Sequence, residues 1–85
     1  MTIQDVVRQF VVENFYVSDS GELTDEASLI ESGIVDSTGI LEVILFVESE
    51  FGILVEDHEA IPENLESISQ IAAFVARKRQ AAAGR

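Results

Sequence analysis

Cysteine and tryptophan are absent from this chain of 85 residues, and proline, histidine, methionine and tyrosine each occur once. Without cysteine there is neither a disulfide nor a thiolate metal site, so any thiol chemistry needs a sulfur atom from outside the protein. Basic residues are also few, because five Lys and Arg face sixteen Asp and Glu, for a formal net charge of −11. Such a surface repels phosphate groups, which argues against nucleic acids and anionic membranes as partners.

Long hydrophobic runs are missing too, and no apolar stretch is long enough to span a bilayer. The acidic start Met1–Asp5 lacks the basic segment of a signal peptide, so we expect a cytoplasmic protein. The acidity favours partners with basic patches, although it would serve solubility equally well. The short length and the 47% hydrophobic content predict one domain at residues 1–80, followed by a flexible tail at 81–85.

Apolar residues recur at helical spacing and predict an all-α fold. We expect a small antiparallel bundle of three main helices plus one short helix. The main helices are predicted from Thr2 to about Tyr16, from Ser37 to Phe51, and from Ser67 onward, and the short one lies around Pro62. Ile53-Leu54-Val55 is predicted to be an extended link with inward side chains, because no second strand is available to pair with it.

A long connection, residues 17–35, separates the first two main helices. Connections of this length are uncommon in small domains and are often functional. This one contains residue types that are usually buried: Leu23, Leu29, Ile30, Ile34 and Val35. We therefore expect it to be ordered against the bundle, with one helical turn at residues 25–30. Gly33 is expected to permit the bend into the second helix.

The sequence argues against catalysis, and it predicts no catalytic residue. His58 is the only histidine and stands among the acids Glu56, Asp57 and Glu59, whereas a Ser-His-Asp triad needs a histidine that touches the serine. No glycine-rich phosphate loop is present. A calcium loop starting at Asp19 also fails, because its third and fifth positions are glycine and leucine. We therefore predict no metal site, and we interpret the acids around His58 as a solvated loop.

Ser37 follows Asp36 where the loop becomes the second main helix. A hydroxyl at a helix N-terminus is sterically open, and a phosphate attached there would meet free backbone N–H groups and the positive end of the helix dipole. The position therefore suits a phosphodiester modification. From physical chemistry alone it suits equally well a serine that merely helps Asp36 to cap the helix.

The stretch Gly33-Ile34-Val35-Asp36-Ser37, the apolar helix with Glu42 and Glu48, and the following Glu50-Phe51-Gly52-Ile53 resemble acyl carrier proteins. The resemblance extends from the first helix to about Lys78. It implies that a phosphopantetheinyl transferase attaches 4'-phosphopantetheine to Ser37, beside Asp36 and Thr38. The terminal thiol of that arm would hold an acyl group as a thioester, in a chain without a thiol of its own.

The resemblance also implies a partner-binding surface. Acidic positions that meet basic patches of partner enzymes in the family correspond to Asp36, Glu42, Glu48, Glu50 and Asp57. Leu41 and Leu45 would add an apolar part, although packing against the loop or the short helix explains them equally well. Phe46 is predicted to be a packing residue. Candidates for lining an acyl pocket, each of which can also be ordinary core, are Ile44, Val47, Ile61 and Ile71.

Thr38 and Gly39 depart from the usual fatty-acid carriers, which more often have leucine and an acidic residue there. The pathway therefore stays open between fatty acid, polyketide and other acyl or aminoacyl transfer. The expected partners of this monomer are acyl-transferring, condensing or ligase enzymes. The alternative hypothesis is an unmodified acidic adaptor that binds a basic partner protein through the second main helix.

Overall fold

The structure is a computed structural model that describes residues 2–15, 17 and 23–83. Over these residues it contains four α-helices, one 3-10 helix and no strand. The elements are α1 (Ile3–Asn14), α2 (Ser37–Phe51), the 3-10 helix (Asp57–Glu59), α3 (Pro62–Leu65) and α4 (Ile68–Ala83). The predicted all-α fold, with three long helices and a short one, is confirmed. No helix in the described part combines the length and apolarity that a bilayer crossing requires.

Helix α1 begins as predicted, with a reciprocal cap. The Thr2 hydroxyl accepts a hydrogen bond from the Asp5 N–H (3.1 Å), and the Asp5 carboxylate accepts one from the Thr2 N–H (3.3 Å). The helix ends at Asn14 because Phe15 is extended, with φ −126° and ψ 157°. The predicted end at Tyr16 lies outside the described residues.

Most of the core surrounds α4, against which α1 and α3 pack extensively and α2 over a shorter stretch. The fully buried apolar side chains come from all four helices and from the loop before α2. The core cluster consists of Val7, Val11, Leu23, Leu29, Val35, Val43, Val47, Leu65, Ile68, Ile71 and Val75. On α2, the core face is centred on Val43 and Val47, with Ile40, Ile44 and Phe51 packed at its edge.

Phenylalanine rings fill the space between α1 and α2. The Phe10 ring stacks on Phe46, with centroids 4.0 Å apart and an interplanar angle of 16°. Phe15 meets the edge of Phe10 at 5.9 Å, and Phe51 meets Phe46 at 6.2 Å. Edge-to-face and offset rings are favourable arrangements beyond simple burial. Phe46 is thus a packing residue, as predicted.

The loop before α2 is ordered against the bundle from residue 23 onward, whereas its residues 18–22 lie outside the described part. The Leu29 N–H donates to the Glu66 carbonyl (2.7 Å), and the Ser69 N–H donates to the Asp25 carbonyl (2.8 Å). In a helical turn at residues 25–30, the Leu29 N–H would donate to the Asp25 carbonyl. Both groups are instead bonded to residues that precede or begin α4. The predicted helical turn is therefore wrong, and separate hydrogen-bonded turns take its place.

Two apolar residues outside the helices differ from their predicted burial. Leu29 is fully buried, but its neighbour Ile30 is 38% exposed. In the link after α2, Ile53 and Val55 pack against the core while Leu54 points outward and is 70% exposed. Both predictions assumed that an apolar side chain points inward. In the extended link, successive side chains point to opposite sides, so only every second residue can do so. Leu29 and Ile30 lie in a turn, where Leu29 points into the core and Ile30 does not.

The last two helices begin as predicted. Pro62 opens α3, and the Ser67 hydroxyl accepts a hydrogen bond from the Gln70 N–H (3.1 Å) at the start of α4. Helix α4 extends to Ala83, three residues past the predicted domain boundary. The basic residues 77–79 consequently lie before its last turn. Two of them bind side chains near α3, since Lys78 pairs with Glu59 (2.8 Å) and Arg77 donates to Asn64 (3.0 Å).

Candidate functional site

Ser37 is the first residue of α2, and it is exposed to solvent. The preceding residue, Asp36, is extended and caps the helix: its Oδ1 accepts a hydrogen bond from the Gly39 N–H at 2.8 Å. The Asp36 carbonyl accepts the first intrahelical bond from the Ile40 N–H at 2.9 Å. Asp36 therefore makes the cap through its own carboxylate, and the Ser37 hydroxyl projects from a helix start that is already fixed.

Gly33 and Val35 fix the backbone of the segment that precedes this helix. Gly33 has φ +81°, a backbone conformation that side chains disfavour, so it permits the bend that was predicted. Val35 is buried, and its N–H donates to the Leu29 carbonyl at 3.0 Å. Ser37 is thus held by a buried anchor two residues before it as well as by the cap.

Gly39 explains one departure from the usual carrier pattern. A Cβ at this position would lie 2.7 Å from Cε1 of Phe15 and 3.1 Å from Cγ1 of Val35. Both distances are shorter than ordinary van der Waals contact, so a side chain would displace the Phe15 ring. The absent side chain at residue 39 therefore lets the end of α1 pack on the first turn of α2, directly behind Ser37. Thr38 is exposed beside it.

The predicted docking residues occupy different parts of the surface. Leu41 and Leu45 are 61% and 65% exposed and share one face of α2 with the exposed Glu42 at its edge. They do not pack on the loop or on α3 as the alternative interpretation required. Asp36 is exposed at the start of the same helix, and Asp57 is exposed in the 3-10 helix.

Glu48 and Glu50 are placed differently from these residues. Glu48 is half-buried, and its Oε2 accepts a hydrogen bond from the Val55 N–H at 2.9 Å, which ties the link to α2. Glu50 faces α1, where it lines a groove with Glu13 and the stacked Phe10 and Phe46 rings. The resemblance to acyl carrier proteins grouped all these acids, but the fold turns Glu50 away from Leu41 and Leu45.

A groove adjoins Ser37, which is one of its lining residues. The other lining residues are Ile30, Ile40, Ala60, Ile61, Pro62 and Leu65. Of the predicted acyl-pocket residues, Ile61 lies here, whereas Val47 and Ile71 are fully buried core and Ile44 is half-buried. Ile30 and Ala60 were not predicted as neighbours of the serine, since no local pattern relates residues so far apart along the chain.

His58 belongs to a small acidic cluster in the 3-10 helix. One ring nitrogen lies within 4.8 Å of carboxylate oxygens of Glu56 and Glu59. Glu59 Oε1 already accepts hydrogen bonds from the Lys78 ammonium (2.8 Å) and from the Glu56 N–H (3.0 Å). The Glu59 carboxylate, one of the three potential metal ligands, thus already accepts two hydrogen bonds. This supports the interpretation of the cluster as a solvated loop.

The same hydrogen bonds predict a pH dependence of stability. The Lys78 ammonium, and next the Glu56 N–H, lower the pKa of Glu59 below its ordinary value of 4.5. Since the folded pKa is the lower one, this contribution to the free energy of unfolding is complete above pH 4.5 and is lost as the pH falls through the folded pKa. We expect Lys78→Gln to raise the Glu59 pKa and to weaken the stability loss between neutral and acidic pH. Carboxyl NMR titration and denaturation at each pH measure both effects, and an unchanged Glu59 pKa in the variant would contradict the assignment.

The chain is similar to known proteins over most of its length. No protein-family model matches it. An acyl carrier protein of Bdellovibrio bacteriovorus is 31% identical over 81 residues, which cover 95% of this chain and 100% of that protein. The chain belongs to the acyl carrier protein family. Acyl carrier proteins of Akkermansia muciniphila, 32% identical over 87% of this chain and 89% of that protein, and of Thermotoga maritima, 29% identical over 85% of each, agree with this. The resemblance to acyl carrier proteins drawn from the sequence is confirmed.

Proposed function

We propose that this protein carries acyl intermediates as thioesters on a 4'-phosphopantetheine arm attached to Ser37, and that it is not itself an enzyme. The observation that carries the proposal is the exposed Ser37 hydroxyl at the first position of α2, held by the Asp36 cap, in a chain of the acyl carrier protein family. Pathways of fatty acid, polyketide or other acyl and aminoacyl transfer are all compatible with it.

The start of α2 suits the phosphate of such an arm. Gly39 gives its N–H to Asp36, so the N–H groups of Ser37 and Thr38 are the ones that remain to face a phosphate on the Ser37 oxygen. The Asp36 carboxylate is negatively charged and is directed at the helix backbone through Oδ1. Asp36 therefore holds the site in shape, and Thr38, with its exposed hydroxyl, flanks the attached group.

The arm supplies the thiol that forms the thioester, and the protein's own residues present it. Ser37 contributes only an oxygen atom. As its bond to phosphorus forms, a base of the phosphopantetheinyl transferase accepts the serine proton, and the phosphoanhydride bond of coenzyme A breaks to release 3',5'-adenosine bisphosphate. The single histidine, His58, lies in the acidic cluster with Glu56 and Glu59. Catalysis is thus assigned to partner enzymes.

We assign partner binding to the face of α2 that carries the exposed residues Leu41, Glu42 and Leu45, which we call its outer face. Leu41 and Leu45 provide exposed apolar area, and Asp36, Glu42 and Asp57 are exposed acids that suit basic patches on a transferase or on acyl-transferring, condensing or ligase enzymes. Glu48 can contribute charge while it binds the Val55 N–H. Glu50 remains a predicted partner residue, on the side of α2 that faces α1. We propose a cytoplasmic monomer that binds these partners transiently.

The direct test of the proposed function is intact-protein mass spectrometry. The purified chain is incubated with coenzyme A, magnesium and a transferase of broad specificity. We expect a mass gain equal to one phosphopantetheine group, carried by the peptide that contains Ser37. An unmodified mass under conditions that modify a known carrier would favour the alternative function, an unmodified acidic adaptor.

Electrostatic docking predicts that reversing one charge on the outer face of α2 slows modification. We expect Glu42→Lys to lower the rate of phosphopantetheine transfer by severalfold to about tenfold at low salt, and by less at high salt, because charged rims act mainly on association rates. Glu13→Lys on α1 changes the net charge equally at an exposed residue that is not among the predicted partner residues. Equal slowing by both variants would show that only net charge matters, and no slowing by Glu42→Lys would mean that this acid is merely solvated.

A further inference from the structure

Ser37 lies between two residues that the rest of the fold holds in place. Val35, two residues before it, is buried, and Gly39, two residues after it, is buried as well. The Ser37 side chain itself is exposed to solvent. The location of the serine oxygen therefore depends on how the backbone of these two buried neighbours is held.

Gly39 is held by α1 as well as by its own helix. Its N–H donates to Oδ1 of Asp36 at 2.8 Å, which completes the cap of α2. In addition, the Phe15 ring stands so close that a Cβ on residue 39 would lie 2.7 Å from Cε1 of that ring. Because this distance is shorter than van der Waals contact, the ring occupies the space in which a side chain of residue 39 would lie.

Phe15 is itself supported by the row of phenylalanine rings between α1 and α2. Its ring meets Phe10 edge-on at 5.9 Å, and Phe10 stacks on Phe46 of α2 at 4.0 Å. At the other end of the row, Phe51 meets Phe46 edge-on at 6.2 Å. Phe51 is the last residue of α2, whereas Gly39 lies in its first turn. The row therefore connects α1 with both ends of α2, and only its Phe15 end lies near the serine.

Phe15 acts on the backbone of α2 and not on the surface that partners bind. Gly39 is buried and Phe15 is half-buried, whereas Leu41 and Glu42 are exposed on the outer face of α2. A change at Phe15 consequently leaves the docking residues in place but alters the first turn, which carries the serine. In phosphoryl transfer the attacking oxygen must lie in line with the leaving group, so a small displacement of that oxygen slows the step after docking.

We propose that Phe15 is a positioning residue for the modification of Ser37. Its ring, packed against Gly39, holds the first turn of α2 in the orientation in which the serine oxygen forms its bond to the phosphorus of coenzyme A. The inference rests on the proposed function and adds to it a residue from a different helix. Phe15 takes no part in the chemistry and acts only through the backbone of residue 39.

The experiment measures kcat and KM for the full chain as substrate of a broad-specificity transferase with coenzyme A, using intact mass to follow the product. We expect Phe15→Leu, which keeps an apolar side chain but removes the ring, to lower kcat by about tenfold. The KM for the carrier should stay within about twofold of the wild-type value, because the outer face is unchanged.

Phe51→Leu is the matched control, because it removes a ring from the other end of the same row. Both variants lose aromatic packing between α1 and α2, so thermal unfolding should show a loss of stability in each. We expect Phe51→Leu to keep the wild-type kcat. A purely structural role of the rings would instead lower kcat in both variants or in neither.

Gly39→Ala tests the same contact from α2. Alanine is favoured over glycine in a helix, so without the Phe15 ring this change would be stabilising. Here its methyl group should displace the ring and lower both the melting temperature and kcat. The double variant Gly39→Ala/Phe15→Leu should recover kcat towards the wild-type value, because the added methyl group fills space that the ring has left.

The possible outcomes separate this inference from the proposed function. A wild-type kcat in Phe15→Leu, an equal fall in Phe51→Leu, or a raised KM without a lower kcat would overturn the inference alone. Additive losses in the double variant would also overturn it. If Phe15→Leu does not fold, the kcat and KM of Gly39→Ala decide. Absence of any mass gain in the wild-type chain would overturn the proposed function and the inference together.

Discussion

Ser37→Ala is expected to abolish the phosphopantetheine mass gain completely, because the variant lacks the only atom to which the phosphate is proposed to be attached. The effect should be chemical and not structural. Ser37 is exposed. The cap of α2 is made by the Asp36 carboxylate, which accepts its hydrogen bond from the Gly39 N–H and therefore does not depend on the serine side chain. Intact mass after incubation with transferase and coenzyme A measures the modification, and thermal unfolding checks that the fold is retained.

Thr38→Ala is the matched control for this variant. It removes the neighbouring exposed hydroxyl on the same turn of α2, and we expect it to retain the full mass gain. Asp36→Ala separates capping from attachment, since loss of the bond to the Gly39 N–H should destabilise the protein by about 1 kcal/mol. A mass gain in Ser37→Ala equal to that of the wild type would refute the assignment of the attachment residue.

Leu29→Ala is expected to be strongly destabilising, by about 2–5 kcal/mol in the free energy of unfolding. Leu29 is 0% exposed although it belongs to the loop before α2, and it is among the largest fully buried side chains. Its backbone also links the loop to the segment before α4, through the bond from its N–H to the Glu66 carbonyl. Since a domain of this size has a total stability of about 5–15 kcal/mol, the loss would be a large part of it. Urea denaturation followed by circular dichroism gives the value.

Ile30→Ala is the control, one residue later in the same loop. Ile30 is 38% exposed, so its truncation should cost less than about 1 kcal/mol. If the two variants lose equal stability, the loop is not anchored in the way that the structure shows. If Leu29→Ala is also slower to accept phosphopantetheine while Ile30→Ala is not, the buried anchor additionally holds the helix start in the geometry that the transferase binds.

The features that the sequence predicted correctly are local ones. A capping residue, its partner three positions later and the first turn of a helix lie within a few residues of each other, so their hydrogen bonds depend little on the rest of the fold. This explains why the starts of α1 and α2, the Pro62 start of α3 and the Ser67 cap were all predicted. The Asp36-Ser37 step belongs to the same class of feature.

The incorrect or incomplete predictions concern residues whose environment comes from elsewhere in the chain. The predicted turn at residues 25–30 gave way to bonds with Glu66 and Ser69, some forty residues later. Apolar character did not distinguish the buried Leu29 from the exposed Ile30, nor did it reveal that Leu54 points outward. In each case tertiary hydrogen bonds and packing, which act over long sequence separations, decided the outcome.

The sequence by itself determined that this is an acidic, cysteine-free helical protein with a serine at the first position of α2, because helix periodicity, caps and charge are properties of short segments or of composition. Only the tertiary structure decided what surrounds that serine. It placed Phe15 against Gly39, turned Glu50 towards α1, and brought Ile30 and Ile61 into the lining of one groove. Those arrangements depend on how α1, α3 and the loop pack together, and no spacing along a single segment encodes them.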